Sequence, residues 1–288
     1  MMEPSSRTIS FTKMTGSGND FIIIDNRSHI LDADQSAPFI RAACRRKFSV
    51  GADGLIFIQE DPETDFQWRF FNADSSEAEM CGNGARCAAR FAFLKGIVSQ
   101  PNMTFRTRAG IIAAEVQGRR VKIRMTPPEK LLLDFPLESS GQVFSLNFIN
   151  TGVPHLVGLL DSKEALDSLD VHKHGNFFRF HEKFQPAGTN VNFAHVQDRN
   201  HMLIRTYERG VEDETLACGT GAMASALVAA AKGLVNAPVQ LATRSGETLT
   251  IHFSQSDSGG PGAEQFSQVY LEGDARVVYE ADLWDETL

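Results

Sequence analysis

The sequence predicts an α+β fold with two pseudo-symmetric lobes, each a curved, mostly antiparallel sheet or barrel around a central helix. Three observations predict this fold: internal repetition, short strand-like segments in both halves, and one helix-like run in each half that follows a cysteine. The chain has 288 residues and 42% hydrophobic content, which suffices for two domains of ordinary size.

Three motifs occur twice and in the same order. The partners lie 136 or 137 residues apart: TGSGNDFIIID at 15 matches TGVPHLVGLLD at 151, CGNGA at 81 matches CGTGA at 218, and TRAG at 107 matches TRSG at 243. The alternative, a chance alignment of glycine-rich turns, does not explain the nearly constant offset. We therefore predict an N-terminal lobe of residues 1–127, to which 274–288 return, and a C-terminal lobe of residues 128–273.

Segments rich in β-branched or aromatic residues and bounded by Gly, Asn, Asp or Pro predict the strands. They are 21–25, 55–58, 67–71, 103–107, 111–116 and 121–125 in the first half, and 143–149, 155–160, 191–196, 202–207, 239–243 and 249–253 in the second. Paired prolines within residues 125–136 predict a linker between the lobes. A last strand near 275–279 is expected to return to the first lobe.

The helix after Cys218 is nearly apolar all round, so it should be enclosed on most sides. Its counterpart after Cys81 carries Arg86 and Arg90 four residues apart, which predicts one polar stripe on that helix.

Composition excludes several function classes. The net charge is −8 and no basic stripe is present, so nucleic acid is not an expected partner. No apolar run approaches the roughly 18 residues of a membrane span, and the first residues contain no apolar signal region, so we expect a cytoplasmic protein without a membrane partner. The four cysteines lack both the number for a disulfide scaffold and the spacing of a zinc site, so no metal is predicted.

Cys81 and Cys218 lie at or just before the predicted helix starts, where free N–H donors and the positive end of the helix dipole stabilise a thiolate. The Gly-x-Gly that follows each cysteine lets the backbone approach an anion such as a carboxylate. Cys44 and Cys87 have no partner in the repeat and are expected to be structural.

Matched thiols in two similar halves point to inversion of a stereocentre. If the halves face each other, one thiolate removes an α-proton and the other thiol returns a proton to the opposite face. No cofactor is predicted. No feature selects a pyridoxal lysine, and GTGAMA at 219 matches the dinucleotide pattern without the preceding strand or the later acidic residue.

Four motifs, MTGSGNDFIIID, FFNADSSEAEMCGNGARC, GTNVNFA and RTYERGVEDETLACGTGA, resemble the diaminopimelate epimerase family over essentially the whole chain. The resemblance implies the fold of that family and a cofactor-independent isomerase. Its members interconvert LL- and meso-2,6-diaminopimelate for lysine and peptidoglycan precursor biosynthesis. It also implies a cytoplasmic homodimer.

The resemblance implies a role for each matched residue. Cys81 and Cys218 form the acid/base pair, assisted by His155 and Glu208; the substrate-binding residues are Asn19, Asn72, Gly82, Asn83, Asn190, Glu208, Arg209, Gly219 and Thr220.

The chemistry of the distal residues agrees with these roles. Arg209 suits a bidentate grip on a carboxylate and Glu208 an ammonium group, although a solvated surface ion pair is the alternative. His155, which the repeat aligns with Asn19, either tunes thiol ionisation or is a satisfied structural histidine. Two positions depart from the family pattern: Val153 stands where many members have Asn, and Gly54 where some have Gln.

Two competing functions remain open. One is a related two-cysteine racemase or epimerase of proline or hydroxyproline type, and the other is a catalytically silent binding protein of the same fold. Glu208 with Arg209 favours the diaminopimelate substrate over a small amino acid, which has no distal group. Retention of both cysteines and both glycine turns disfavours the silent protein.

Overall fold

The computed structural model describes residues 8–139, 141–256 and 262–284. The chain divides into two compact units, the first comprising Met1–Ile123 with Gly273–Leu288 and the second Arg124–Glu272. Residues 1–7 and 285–288 lie outside the described residues. The sequence assigns both segments to the N-terminal lobe, and it predicts no signal region in the first of them.

The first unit is built mainly from strands. Its elements are β1 (Thr8–Gly16), β2 (Asn19–Asp25), α1 (Ala37–Cys44), β3 (Gly54–Gln59), β4 (Phe66–Asn72), β5 (Glu77–Ala78), α2 (Gly82–Leu94), β6 (Asn102–Thr107), β7 (Gly110–Gln117) and β8 (Arg120–Arg124).

The second unit repeats this pattern with two helices in place of α1. Its elements are β9 (Glu129–Ser139), β10 (Gln142–Asn150), β11 (Pro154–Leu159), α3 (Lys163–Ser168), α4 (Val171–Arg179), β12 (Asn190–Val196), β13 (His201–Glu208), β14 (Asp213–Thr215), α5 (Gly219–Ala231), β15 (Val239–Ala242), β16 (Thr248–Gln255) and β17 (Phe266–Asp274). Short 3-10 turns span Glu182–Phe184 and Ala263–Gln265, and β18 (Arg276–Trp284) belongs to the first unit.

The strand order of the two units is the same. The first follows β18–β1–β2–β3–β4–β6–β7–β8 and the second β9–β10–β11–β12–β13–β15–β16–β17, with β5 beside β4 and β14 beside β13. The pairs β2/β3, β4/β6, β11/β12 and β13/β15 are parallel, and the other described pairs within each unit are antiparallel. The predicted α+β class with two similar, mostly antiparallel lobes is confirmed.

Each sheet curves around one helix of its own unit. Helix α2 packs against β1, β2, β3 and β7, and α5 packs against β10 to β13, β15 and β16. In a flat sheet β1 and β7 would lie roughly 24 Å apart, since neighbouring strands are about 4.8 Å apart. One helix of about 10 Å diameter reaches both only if the sheet bends. Residues Gly221 to Ala230 of α5 are all buried, as its apolar composition predicts.

Two sequence predictions are wrong. Residues 129–136 are not a linker, because they form most of β9, which pairs with β10 in the second unit. Arg86 does not give α2 an exposed polar stripe, because its side chain is completely buried and hydrogen-bonded inside the first unit. Within the described residues, no helix has the length and apolar character needed to cross a membrane.

Candidate active site

Cys81 is the N-cap of α2, and its backbone is extended at φ −145° and ψ 115°. Its Sγ accepts the backbone N–H of Gly84 at 3.4 Å. The helix begins at Gly82, so the predicted carboxylate binders Gly82 and Asn83 occupy its first two positions. The first N–H groups of a helix have no intrahelical acceptor, which suits them to an anion.

Asn83 and Asn19 are brought together in the first unit. Asn83 Nδ2 donates to Asn19 Oδ1 at 2.7 Å, and Asn19 Nδ2 donates to Asp53 Oδ2 at 2.9 Å. The buried guanidinium of Arg86 donates from Nη2 to Asn83 Oδ1 at 2.8 Å and to Ser17 Oγ at 2.9 Å. Because Arg86 can only donate, it fixes which end of the Asn83 amide is the acceptor.

Asn72 is the last residue of β4 and lies opposite Gly54 of β3. Its Nδ2 donates to Ser76 Oγ at 3.0 Å in the turn that follows. A Cβ on Gly54 would lie 2.5 Å from the Phe70 ring and 2.6 Å from the carbonyl oxygen of Phe71. This backbone therefore has no room for the larger side chain that some relatives are expected to carry at Gly54.

Cys218 is the N-cap of α5 and takes nearly the same extended conformation, φ −127° and ψ 112°. Gly219 and Thr220 follow as the first two helical residues. Cys218 Sγ lies 3.5 Å from Thr220 Oγ1, and the thiol is buried.

Burial raises the pKa of the Cys218 thiol to about 12, and the negative charge of Glu208 raises it further. The Thr220 hydroxyl and the backbone N–H groups of Gly221 and Thr220 lower it by a smaller amount. The sequence predicts that the helix start stabilises the thiolate. At Cys218 that effect is present but weaker than burial, so the side chain holds its proton at neutral pH.

His155 is completely buried on β11. Asn192 Nδ2 lies 3.0 Å from His155 Nδ1, whereas Nε2 has no hydrogen-bond partner among the described residues. Burial, with the nearby charge of Arg209, lowers the pKa of His155 to about 3 despite the Asn192 bond. The imidazole is therefore neutral at physiological pH, and it is only half satisfied as a structural histidine.

Asn190 and the end of β13 also lie together. Asn190 Oδ1 accepts the backbone N–H of Arg209 at 2.8 Å, and Asn190 Nδ2 donates to the Pro154 carbonyl at 3.2 Å. Arg209 Nη1 donates to the Ala187 carbonyl at 3.0 Å. Burial raises the pKa of Glu208. Glu208 and Arg209 are therefore partly enclosed and fixed by their unit, unlike a solvated surface pair.

The strand ladders change how His155 corresponds to the first unit. The sequence repeat matches it with Asn19, but His155 lies opposite Asn190 as Phe21 lies opposite Gly54. The reason is the preceding hairpin: Thr15 and Gly16 belong to β1, whereas the matching Thr151 and Gly152 lie in the turn before β11. In the strand pairing of the two units, His155 therefore occupies the position equivalent to Phe21.

The turn before β11 also contains Val153, whose carbonyl accepts the N–H of Thr151 at 3.1 Å. Thr151 Oγ1 in turn donates to the Thr220 carbonyl at 3.2 Å. This turn is thereby tied to the start of α5, although the apolar side chain of Val153 supplies no polar contact of its own.

The sequence does not predict the role of three polar residues here: Arg86 as a buried donor, Asn192 beside His155, and Thr206, whose hydroxyl donates to Asn192. A signal for Asn192 was present, since Asn190 and Asn192 alternate in β12 and so share one face of the strand. Within the described residues, no group of three or more His, Cys, Asp or Glu side chains is placed to hold a metal ion.

Comparison with known proteins identifies close relatives. A family model described as diaminopimelate epimerase matches residues 11–131 and 147–269. The diaminopimelate epimerase of Aquifex aeolicus is 47% identical, with 97% of this chain and 99% of the relative covered. That of Hydrogenobaculum sp. is 44% identical, with 94% and 97% covered.

More distant solved structures share the fold alone. A PhzF-family phenazine biosynthesis protein of Bacillus anthracis superimposes with a TM-score of 0.72 at 16% identity, covering 96% of this chain and 99% of the other. A hydroxyproline epimerase of Agrobacterium vitis superimposes with a TM-score of 0.66 at 14% identity, covering 97% and 93%. The backbone plan is thus common to proteins whose sequences have diverged widely.

Proposed function

Because the chain belongs to the diaminopimelate epimerase family, we propose that it interconverts LL- and meso-2,6-diaminopimelate without a cofactor, through Cys81 and Cys218 as two bases. The observation that carries this proposal is the equivalence of the two cysteines. Each caps the central helix of its own unit in the same extended conformation, ahead of a Gly-x-Gly turn.

The reaction balances without a further reactant. One cysteine thiolate takes the α-proton, and the electron pair of the broken C–H bond delocalises into the neighbouring carboxylate. The other thiol gives its proton to the opposite face of the same carbon and becomes a thiolate. Burial raises the pKa of Cys218, which supports Cys218 as the proton donor when the first substrate binds. The reverse reaction exchanges the two roles.

The helix starts supply the carboxylate binding that this chemistry needs. Gly82 and Asn83 on α2, and Gly219 and Thr220 on α5, occupy positions whose N–H groups have no intrahelical acceptor. These N–H groups and the positive ends of the helix dipoles would stabilise the negative charge that develops on the substrate carboxylate as the α-proton leaves. Asn19 supports the first pair through its bond to Asn83.

The distal amino acid end is assigned to Asn72, Asn190, Glu208 and Arg209. Glu208 would take the ammonium group and Arg209 the carboxylate. Their partial enclosure supports this assignment, and it disfavours proline or hydroxyproline, which offer no charged distal group. Asn190 orients the Arg209 backbone from the strand next to β13.

Three further parts of the proposal follow from the same assignment. The reaction would serve lysine and peptidoglycan precursor biosynthesis in the cytoplasm. The two predicted lobes of the chain would each supply one of the two cysteines. A homodimer is also proposed. Its support is β18, which pairs with β1 and exposes Val278 and Trp284 on the same strand. Light scattering after size-exclusion chromatography measures the mass and would reject the dimer if it returned one chain.

The decisive experiment incubates the reduced protein with LL-diaminopimelate in deuterated water. We expect loss of optical rotation and one deuterium at the α-carbon of the product. Proline, hydroxyproline and glutamate serve as competing substrates in parallel. Turnover of one of these with no turnover of diaminopimelate would reject the assignment, and turnover of none would leave the silent binding protein as the better reading.

A further inference from the structure

Three buried polar side chains lie on adjacent strands of the second unit, where the first unit has apolar ones. His155, Asn192 and Thr206 are 0%, 0% and 3% exposed, on β11, β12 and β13. The ladder places Asn192 opposite Thr206 just as it places Ile56 opposite Phe70 in the first unit. Backbone symmetry therefore does not require polar residues here.

The cluster lies against the first turn of α5. A Cβ on Gly221 would overlap Asn192 Oδ1, so the glycine lets the amide pack directly against the helix. At the matching position of α2, a Cβ on Gly84 would instead approach Trp68, Ile56 and Phe21 at 3.2 to 3.5 Å. At these two matching glycines, the helix after Cys218 packs on a polar side chain, whereas the helix after Cys81 packs on apolar ones.

The hydrogen bonds leave one orientation for the Asn192 amide. Its nitrogen lies 3.0 Å from the Leu156 carbonyl oxygen, which can only accept, and its oxygen accepts the Thr206 hydroxyl at 3.0 Å. The second N–H of the amide then points to His155 Nδ1 at 3.0 Å. Nδ1 must accept this bond, so the proton of the neutral imidazole is on Nε2.

The Nε2–H group is a buried donor with no acceptor among the described residues. An unsatisfied buried donor costs about 1–3 kcal/mol, so such a group calls for a partner. The imidazole cannot take a second proton at Nδ1 without placing two donors against each other. It therefore has one function available at neutral pH, which is to donate from Nε2.

We infer that Asn192, oriented by Thr206 and the Leu156 carbonyl, is a positioning residue that holds His155 as a neutral Nε2–H hydrogen-bond donor to negative charge in the epimerisation. His155 then stabilises an anion, either the carboxylate of the substrate as the α-carbon loses its proton or a cysteine thiolate, and it does not itself carry a proton between atoms. The inference rests on the proposed function for the identity of that anion, whereas the tautomer is a property of the free protein.

The tautomer is tested first, without substrate. Nitrogen-15 NMR of the full chain labelled at histidine, with the His155 signals assigned by His155→Gln, distinguishes the two ring nitrogens. We expect a pyridine-like Nδ1 and a pyrrole-like Nε2, unchanged between pH 5 and 8. A proton on Nδ1, or an imidazolium in this range, would overturn the inference.

Asn192→Asp tests the positioning role, because a carboxylate of the same shape can only accept a hydrogen bond, which favours the tautomer with the ring proton on Nδ1 over the one with it on Nε2. We expect the NMR pattern of His155 to invert and kcat to fall on the order of 100-fold, the usual cost of one lost donor to developing charge. KM should change much less, since the residue does not touch the substrate.

Asn147→Asp is the matched control. Asn147 is a buried amide of the same unit, bonded to the Val157 carbonyl and the Asp134 N–H, and it has no histidine partner. The control should keep both the His155 pattern and kcat. Thr206→Val is a second test that introduces no charge; it should lower kcat less than Asn192→Asp and loosen the tautomer preference.

The outcomes separate the two proposals. An inverted tautomer with wild-type kcat would overturn the donor role of His155, and equal losses in Asn192→Asp and Asn147→Asp with the tautomer unchanged would reduce Asn192 to a structural residue. If the wild-type chain shows the Nε2–H form but does not epimerise diaminopimelate, the proposed function fails while the assignment of Asn192 stands.

Discussion

The surroundings of Cys81 and Cys218 differ although their backbones are alike. Cys81 is partly accessible and accepts the Gly84 N–H, whereas Cys218 is buried and contacts the Thr220 hydroxyl. The start of α2 contains the buried cation Arg86, and the matching position of α5 is Met223. The negative charge of Glu208 acts on Cys218.

This difference teaches which features the proposed reaction needs twice and which it needs once. A proton must be handled on both faces of one carbon, so both units retain a cysteine, a glycine turn and a helix start. The distal end of the substrate is not symmetric, and neither are the charges. The charge of Glu208 raises the pKa of Cys218 and so favours its protonated form, which suits the proton donor in the proposed reaction.

Removal of either cysteine is expected to have the largest effect. Cys81→Ser and Cys218→Ser should each lower the epimerisation rate about 100- to 10,000-fold, the usual contribution of a positioned acid or base. The remaining cysteine can still remove and return a proton on its own face. Each variant should therefore exchange deuterium into one epimer without inversion, and the two variants should prefer opposite epimers, as proton NMR of each pure epimer will measure.

Full turnover by either serine variant would reject the two-base mechanism. Exchange into the same epimer by both variants would show that the cysteines do not serve opposite faces. Cys44→Ser is the control, since burial raises the pKa of that thiol to about 12 and it lies in the core around α1. It should retain activity.

Arg86→Met gives α2 the residue found in α5 and should produce the next largest effect. It leaves Asn83 Oδ1 and Ser17 without their buried charged donor. We expect a loss of about 2–4 kcal/mol in the free energy of unfolding, because hydrogen bonds to charged groups are worth about 1.5–3 kcal/mol each and their partners stay buried. Urea denaturation measures it. Arg41→Met removes an arginine that bonds Ser75 at the surface and should cost far less.

The buried His155 predicts a smaller, pH-dependent effect. Its pKa is about 3 in the folded state and about 6.5 when unfolded, so only the unfolded chain gains a proton as pH falls below 6.5. This contribution to stability is complete above pH 6.5 and is lost as pH falls toward 3, by about 2 kcal/mol at pH 5. In denaturant titrations, His155→Gln should reduce the loss in the free energy of unfolding between pH 7 and pH 5 by that amount. An unchanged slope would contradict the burial of a neutral ring.

Much of the fold could be predicted because the chain is repeated. The nearly constant offset between the repeated motifs predicts two similar lobes. The apolar run after Cys218 predicts the buried central helix of the second unit. The helices α1, α3 and α4 were missed because each has nine residues or fewer, too short for a clear periodic pattern. β9 was mistaken for a linker because Pro127 and Pro128 precede it closely and end the strand before them.

The candidate site was predictable by residue type but not by register. The positions of Cys81 and Cys218 follow from sequence, and their roles stay predictions. His155 was aligned with Asn19 because an ungapped repeat cannot detect that Thr151 and Gly152 have left the strand. Arg86 was expected on a polar face because sequence does not reveal that Asn83 and Ser17 accept its hydrogen bonds inside the core.

The smallest effects concern the ionisation of Cys218, and two variants should change it in opposite directions. Glu208 raises the pKa of this thiol through its charge, so Glu208→Gln should increase the thiolate fraction. The Thr220 hydroxyl lowers the pKa, so Thr220→Val, which keeps the shape, should decrease that fraction. One hydrogen bond of about 0.5–1.5 kcal/mol corresponds to a roughly 2- to 10-fold change in the alkylation rate of Cys218. Peptide mass spectrometry after iodoacetamide treatment near pH 8 measures that rate.

Glu214→Gln, at a carboxylate paired with Arg205, is the control for a lost charge nearby. If both variants react faster than the wild type, access to the buried thiol and not its charge determines the rate, and the electrostatic control of Cys218 loses its support.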